Sequence, residues 1–411
     1  MAREPLLPAE SLARYADAIV RASLGVEKGD TLVVQGQPEH RELLVAVAES
    51  AYKVGARFVD VLTADPLVMR ARLLHGKDDA LGALSPWARR RLREVAGPSG
   101  AYAVITGEGE PGYLDGVPPK RIATDFQRLA KQTAFLRRAQ LNQRSRWTIA
   151  GWPTDHWAGE VYPELSQLVA KQRLAKDLLR FCRLADEDGK GTSGWLKHLR
   201  TLGRRSARLT KLGLTRLELR GPGTELDLGL ARGTRWLGGP ETLVDGRMIA
   251  PNMPTEETFT SPDARKTNGS FRCTFPLSFR GRLIRGLRGE FSNGRLVWLK
   301  ADSAADRDFV AAYIDTDRNG RRLGEVALVD ASSRIGQTGR IYYNTLLDEN
   351  AAAHIAFGSG FGGTRTDTPA RGVNRSTIHL DVMIGSRELE ATGVDESGRR
   401  IPLIRAGSWQ I

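Results

Sequence analysis

Oxygen and nitrogen donors gather in the second half of this sequence at spacings that suit a metal centre. In Ser376-Thr377-Ile378-His379-Leu380-Asp381-Val382-Met383-Ile384-Gly385 a strand period of two puts His379, Asp381 and Met383 on one face. Ile378, Leu380, Val382 and Ile384 take the other. An imidazole beside a carboxylate on so apolar a strand is costly to bury unpaired, so the pair implies either a metal ion or a satisfied His–Asp contact. Upstream, Asn350 in Leu347-Asp348-Glu349-Asn350-Ala351-Ala352-Ala353-His354 suits a helix N-cap. That predicts an alanine-led helix with Glu349 in the entering loop and His354 one turn inside. Local capping, with Glu349 complementing the helix dipole, is the plainer alternative. Glu325 interrupts the apolar run Leu323 to Val329, so it lies on an exposed edge or is buried with a partner. Glu256-Glu257 follows Asn252-Met253-Pro254-Thr255, and adjacent acids near a site call for cations. Each acid taken singly is equally compatible with ordinary surface charge.

Taken together, Glu257, Glu325, Glu349, His354, His379 and Asp381 form a set of oxygen and nitrogen donors within one part of the chain. They are too many for one tetrahedral zinc and suit two divalent ions sharing a bridging carboxylate. The other histidines, His40, His75, His156 and His198, fall in no metal-ligand spacing and read as surface or packing residues. The stretch Gly107-Glu108-Gly109-Glu110-Pro111-Gly112 is glycine-rich, but acids and a proline stand where phosphate-facing amides are wanted. It reads as a connector.

The elements that position these donors divide in two. Leu12, Tyr15, Ala16, Ile19 and Val20 recur at helical spacing; Thr31 to Gly36 is a short buried-strand candidate; His40 to Val54 is helix-like, with Gly55 at the C-cap. Arg57 to Leu62 returns as a strand, and Ala101 to Thr106 and Trp147 to Ala150 follow. This β–α–β order predicts a mainly parallel sheet with helices on its faces. The polar run Asp186 to Gly194 marks a boundary. After a helix from Trp195 to about Lys211, strands are expected at Leu214 to Arg220, Glu225 to Leu230, Phe271 to Ser278, Arg295 to Ala301 and Thr377 to Ile384. The fold class is therefore α/β and α+β: an N-terminal α/β domain over residues 1–190 and a strand-rich α+β domain over 191–411.

Composition narrows the function classes. The chain has 411 residues, 41% hydrophobic and 27% charged, which fits a folded globular protein of two domains and argues against disorder. No stretch reaches the roughly 18 apolar residues of a membrane span, so no membrane partner is expected. The formal charge of +13 could signal nucleic acid. The arginines are dispersed, however, and the densest cluster, Arg89-Arg90-Arg91-Leu92-Arg93, reads as a solvated helix face. No nucleic-acid partner is expected. The two cysteines, Cys182 and Cys273, form no C-x-x-C pair, and the N-terminus lacks an apolar signal core; both suit a reducing cytoplasm.

Across nearly its whole length the chain resembles the thermophilic-type aminopeptidases of peptidase family M29. The likeness runs from Ala46-Val47-Ala48-Glu49-Ser50-Ala51-Tyr52 to Ile401-Pro402-Leu403-Ile404-Arg405. Its most specific blocks are Gly221-Pro222-Gly223-Thr224-Glu225-Leu226, Asn252 to Glu257, Arg322 to Val329, Tyr343 to Ala351 and Ile378 to Ser386. The resemblance implies a C-terminal metallopeptidase domain with a co-catalytic pair of divalent ions (zinc, cobalt or magnesium), peptide substrates with a free N-terminus, and a homodimer. Carried over position by position, it implies Glu257, Glu325, Glu349, His354, His379 and Asp381 as metal ligands. Glu256 is the candidate general base, by analogy with two-zinc peptidases that pair a ligand glutamate with a catalytic neighbour. One position departs: the family carries a tyrosine where this chain has Phe361, in Gly358-Ser359-Gly360-Phe361. A lost hydrogen-bond donor beside the metals would cost about 3 kcal/mol of transition-state stabilisation, unless Tyr342 or Tyr343 compensates. The alternative function is a mononuclear Fe(II) ring-cleaving dioxygenase of the dihydroxypyridine type, using His354, His379 and Asp381 as a 2-His-1-carboxylate set.

Overall fold

Thr31–Gly36 (β1) is a strand over the length its apolar run predicts, and all but Gln35 of it is buried. The computed structural model describes residues 4–109, 112–280, 282–367 and 371–411, so Glu110 and Pro111 of the glycine-rich connector lie outside it. The chain divides into two compact units, Met1–His198 with Pro240–Pro254, and Leu199–Gly239 with Thr255–Ile411. A single break at 190/191 therefore differs from the observed division in two ways. The division falls within helix Ser193–Lys211 rather than before it, and a later segment returns to the first unit. The return has a backbone cause, because Asn252–Met253 adds to the sheet of the first unit.

In the first unit β1, Phe58–Thr63 (β2), Gly100–Thr106 (β3) and Arg146–Gly151 (β4) form a parallel sheet in the order β2-β1-β3-β4, with Asn252–Met253 outermost beside β4. Helix Arg41–Lys53 connects β1 to β2 and buries Leu43, Leu44, Val47 and Ala51, the stripe its spacing predicts. Arg146 opens β4 with its side chain fully buried, 2.6 Å from Asp30. Its remaining donors meet the carbonyls of Gly25, Gly100 and Pro98, so the buried charge is paired and hydrogen-bonded.

The second unit holds an eight-stranded antiparallel sheet in the order Arg295–Lys300, Arg288–Ser292, Thr267–Arg272, Thr224–Gly229, Leu214–Gly221, Glu390–Asp395, Arg400–Arg405, Ser408–Trp409. It also holds a four-stranded antiparallel sheet of Thr258–Thr260 (β5), Leu323–Leu328 (β6), His354–Gly358 (β7) and His379–Met383 (β8), in that order. One core joins them: Leu217, Leu219, Phe271 and Phe291 with Leu323, Val326, Ile355, Phe357, Leu380 and Val382. Each such side chain contributes about 1.5–3 kcal/mol by burial. The strand expected from Phe271 to Ser278 is broken into Thr267–Arg272 and Leu277–Phe279. Pro276 between them lacks the N–H a ladder requires.

Candidate metal centre

Because Ile355, Phe357, Leu380 and Val382 face the core, the intervening residues of β7 and β8 must face the other way. That opposite face carries His354, Ala356, His379 and Asp381. Register aligns it across the sheet: Glu325 lies opposite Ala356, Ala356 opposite Asp381, Ala327 opposite His354, and Gly358 opposite His379. The Glu325 and Asp381 side chains thus stand on either side of a single methyl group, which leaves room between them.

Five of the six expected donors fall into two overlapping groups. Glu257, Glu325 and His354 form one and Glu325, His379 and Asp381 the other, with the ligand atoms of each group within 4.8 Å of one another. Glu325 belongs to both. His354 Nε2 lies 3.2 Å from Glu257 Oε2, while His379 Nε2 lies 3.2 Å from both Glu325 Oε2 and Asp381 Oδ1. Glu349 is in neither group, yet its charge is felt alongside those of Asp381, Glu257, His354 and Glu325. His354, His379 and Asp381 do not gather into one three-donor group among the described residues.

His354 is placed differently from the expected helix. It opens β7, and the α-helix just upstream is the single turn Thr345–Asp348. Pairing of β7 with strands on both sides overrides the local preference of an alanine run. Asn350 accordingly does not cap a helix. Its Oδ1 accepts the Glu256 N–H at 2.7 Å and its Nδ2 donates to the Leu346 carbonyl at 2.9 Å, tying the Glu256-Glu257 loop to the turn bearing Glu349. Glycine is required where β6 meets β7. Gly358 has φ +95°, and a Cβ on Gly324 would meet the Gly358 oxygen at 2.3 Å.

The electrostatics of the cluster are those of crowded acids. Burial lifts the Glu325 carboxyl to about 7, the His379 hydrogen bond opposing and the Glu257 and Asp381 charges adding to the lift. Burial, then Asp381 and Glu257, hold the Glu349 carboxyl well above its ordinary range. Burial alone would depress His354, but the Glu257 hydrogen bond and surrounding carboxylates raise it to about 10. His379 is likewise raised against burial, chiefly by Asp381. Without metal, protons on the imidazoles therefore do part of the work of balancing four carboxylates. With neutral imidazoles those four charges match two divalent cations, so the donor set fits a metal pair in number, type and charge.

Ser359 was not legible as a site residue. The Ser359 carbonyl accepts from His379 Nδ1 at 2.8 Å, leaving Nε2 for the carboxylates. A main-chain acceptor carries no residue-type signal, so only tertiary structure reveals it. Phe361, the departing position, packs edge-on to the His379 ring at 5.5 Å. Tyr342 is fully buried. Glu256 is buried too, and its Oε1 accepts the Arg334 N–H at 3.2 Å. Burial pulls the Arg205 guanidinium below its ordinary range, against the charges of Asp330 and Glu256.

Comparison with known proteins adds three findings. Residues 9–409 match the family model of thermophilic metalloprotease (M29). The chain is 35% identical to aminopeptidase T of Thermus aquaticus over 98% of its length and 99% of the relative's. It is also similar to the solved structure of wild-type AmpT from Thermus thermophilus, with a TM-score of 0.88 and 33% identity over 98% of this chain and 99% of that one. The 2,5-dihydroxypyridine dioxygenase of Pseudomonas putida shares the fold alone, at TM-score 0.52 and 13% identity over 98% of both chains.

Proposed function

The chain belongs to the thermophilic metalloprotease (M29) family, and from that membership we propose that it is an aminopeptidase working through a pair of divalent ions. The observation carrying this reading is the pair of donor groups that share Glu325. Glu257 and His354 would hold one ion, His379 and Asp381 the other, with Glu325 between them and Glu349 completing the set. Bound there, zinc, cobalt or magnesium would supply the Lewis acidity that activates water and polarises a scissile carbonyl.

The protein's own residues account for the rest. In this proposal a peptide's free α-amine pairs with an acid beside the centre that no ion neutralises, which confines cleavage to chain ends. His379 presents Nε2 because its Nδ1 proton is committed to Ser359. Glu256, a buried carboxylate beside Glu257, is the general base in this proposal. Its replacement by Gln is expected to abolish turnover with metal content unchanged, and retained turnover would remove the assignment. The same reading extends to a cytoplasmic homodimer, which sedimentation velocity tests.

The deciding experiment is hydrolysis of leucyl-p-nitroanilide by EDTA-stripped protein, before and after adding cobalt, zinc or magnesium. Metal-restored release is expected. Silence with every metal, together with oxygen uptake on a dihydroxypyridine after Fe(II) loading, would move the assignment to the ring-cleaving reading.

A further inference from the structure

Two of the constraints on the His379 ring are polar and act at its nitrogens. Nδ1 donates to Ser359, and Nε2 faces Glu325 and Asp381. Neither therefore stops the ring tilting about the line through the two nitrogens. The tilt is limited by Phe361, whose ring stands at 77° to the imidazole with centroids 5.5 Å apart, an edge-to-face arrangement. Phe361 is itself fixed. Its N–H donates to Ser261 Oγ at 2.9 Å, its carbonyl accepts from the Thr364 N–H at 3.1 Å, and its ring packs on Phe259 of β5 at 5.1 Å. Phe259 lies opposite Ala327, on the sheet face that carries His354. The aromatic pair therefore spans from one edge strand of the site sheet to the His379 ring.

We propose that Phe361, backed by Phe259, is a positioning residue that holds the His379 imidazole at the angle required to ligate an ion. The proposal rests on the metal-centre reading above and deepens it, because it assigns this role to one half of the centre only. His354 has no ring contact with Phe361 among the described residues, so Phe361 bears on the Glu257–Glu325–His354 group only through the shared Glu325. Partners that orient a ligating histidine typically carry tenfold or more of metal affinity.

The test is equilibrium dialysis of EDTA-stripped protein against zinc, with cobalt absorption as a second readout. Wild type is compared with Phe361→Leu, Phe361→Ala and Phe361→Tyr. Wild type is expected to bind two ions per chain. Phe361→Ala is expected to bind one ion as wild type does and the other about tenfold more weakly, with an altered cobalt band. Phe361→Leu should fall between, and Phe361→Tyr, which keeps the ring, should restore wild-type binding. If either truncation binds both ions as tightly as wild type, or weakens both equally, the positioning role is overturned while the metal centre stands. If Phe361→Ala misfolds, Phe361→Leu alone decides in the same terms. A wild-type chain that binds no ion overturns the metal-centre reading itself, and this inference with it.

Discussion

Glu325→Gln is expected to remove both metal ions while making the metal-free protein more stable. The carboxylate belongs to both donor groups, so a neutral amide of the same shape withdraws a ligand from each. Metal content should fall from two ions per chain to none. Stability moves the other way because burial lifts the Glu325 carboxyl to about 7 from an ordinary value of 4.5. A carboxyl raised on folding favours the fold below its unfolded pKa, and that contribution is lost as pH rises through its folded pKa. At pH 8 the ionised group therefore costs the metal-free fold roughly 3 kcal/mol, at about 1.36 kcal/mol per unit. Glutamine escapes this cost but gives up about 1 kcal/mol of bonding to His379. The net gain is about 2 kcal/mol at pH 8, and at pH 5 it vanishes because the cost itself drops below about 1 kcal/mol. Zinc at a hundred times its Kd stabilises wild type by about 2.7 kcal/mol per site, or about 5 kcal/mol for two, which reverses the order of the two proteins. Urea denaturation of stripped protein at pH 5 and 8, with and without zinc, reads the stabilities, and elemental analysis reads the ions. A variant that keeps two ions, or that gains nothing at pH 8 when stripped, refutes the reasoning.

Three further expectations concern other parts of the molecule. Ala356→Val should leave the fold intact, valine suiting a strand, but should crowd the gap between Glu325 and Asp381 and weaken metal binding by about tenfold or more; unchanged affinity by dialysis would count against a shared ion there. His40 is held by burial, with Lys171 assisting and Ile105 opposing, at a pKa of about 4. Its contribution is full above its ordinary 6.5 and lost as pH falls through about 4, so on the order of 3 kcal/mol should disappear over that range and His40→Asn should flatten this limb of a denaturation-against-pH curve. Arg146→Met should cost about 3–5 kcal/mol in urea denaturation, because it strands the buried Asp30 carboxylate, and adding Asp30→Asn should recover part of that loss.

Where local pattern and tertiary environment agree, the sequence was readable. The apolar run Thr31 to Gly36 and the alternation in His379 to Met383 became strands because burial on both faces, or on one, is written into residue type at periods the backbone must obey. The same alternation puts His379 and Asp381 on one face. Asn350 and His354 show the opposite case. An asparagine before three alanines satisfies helix-start rules, yet the cost of leaving β7 unpaired between β6 and β8 outweighs a local propensity worth tenths of a kcal/mol per residue.

By itself, then, the sequence determined which carboxylates and imidazoles stand as candidate donors, all offering oxygen or nitrogen, and that the first sheet is built on a β–α–β unit. Only the tertiary structure decided how those donors divide. Strand register placed Glu325 across Ala356 from Asp381 and made it common to both groups, while the Asn350 bridge drew the Glu256-Glu257 loop toward Glu349. Register and loop docking are set by contacts between residues far apart in the chain, and spacing along one chain carries no record of them.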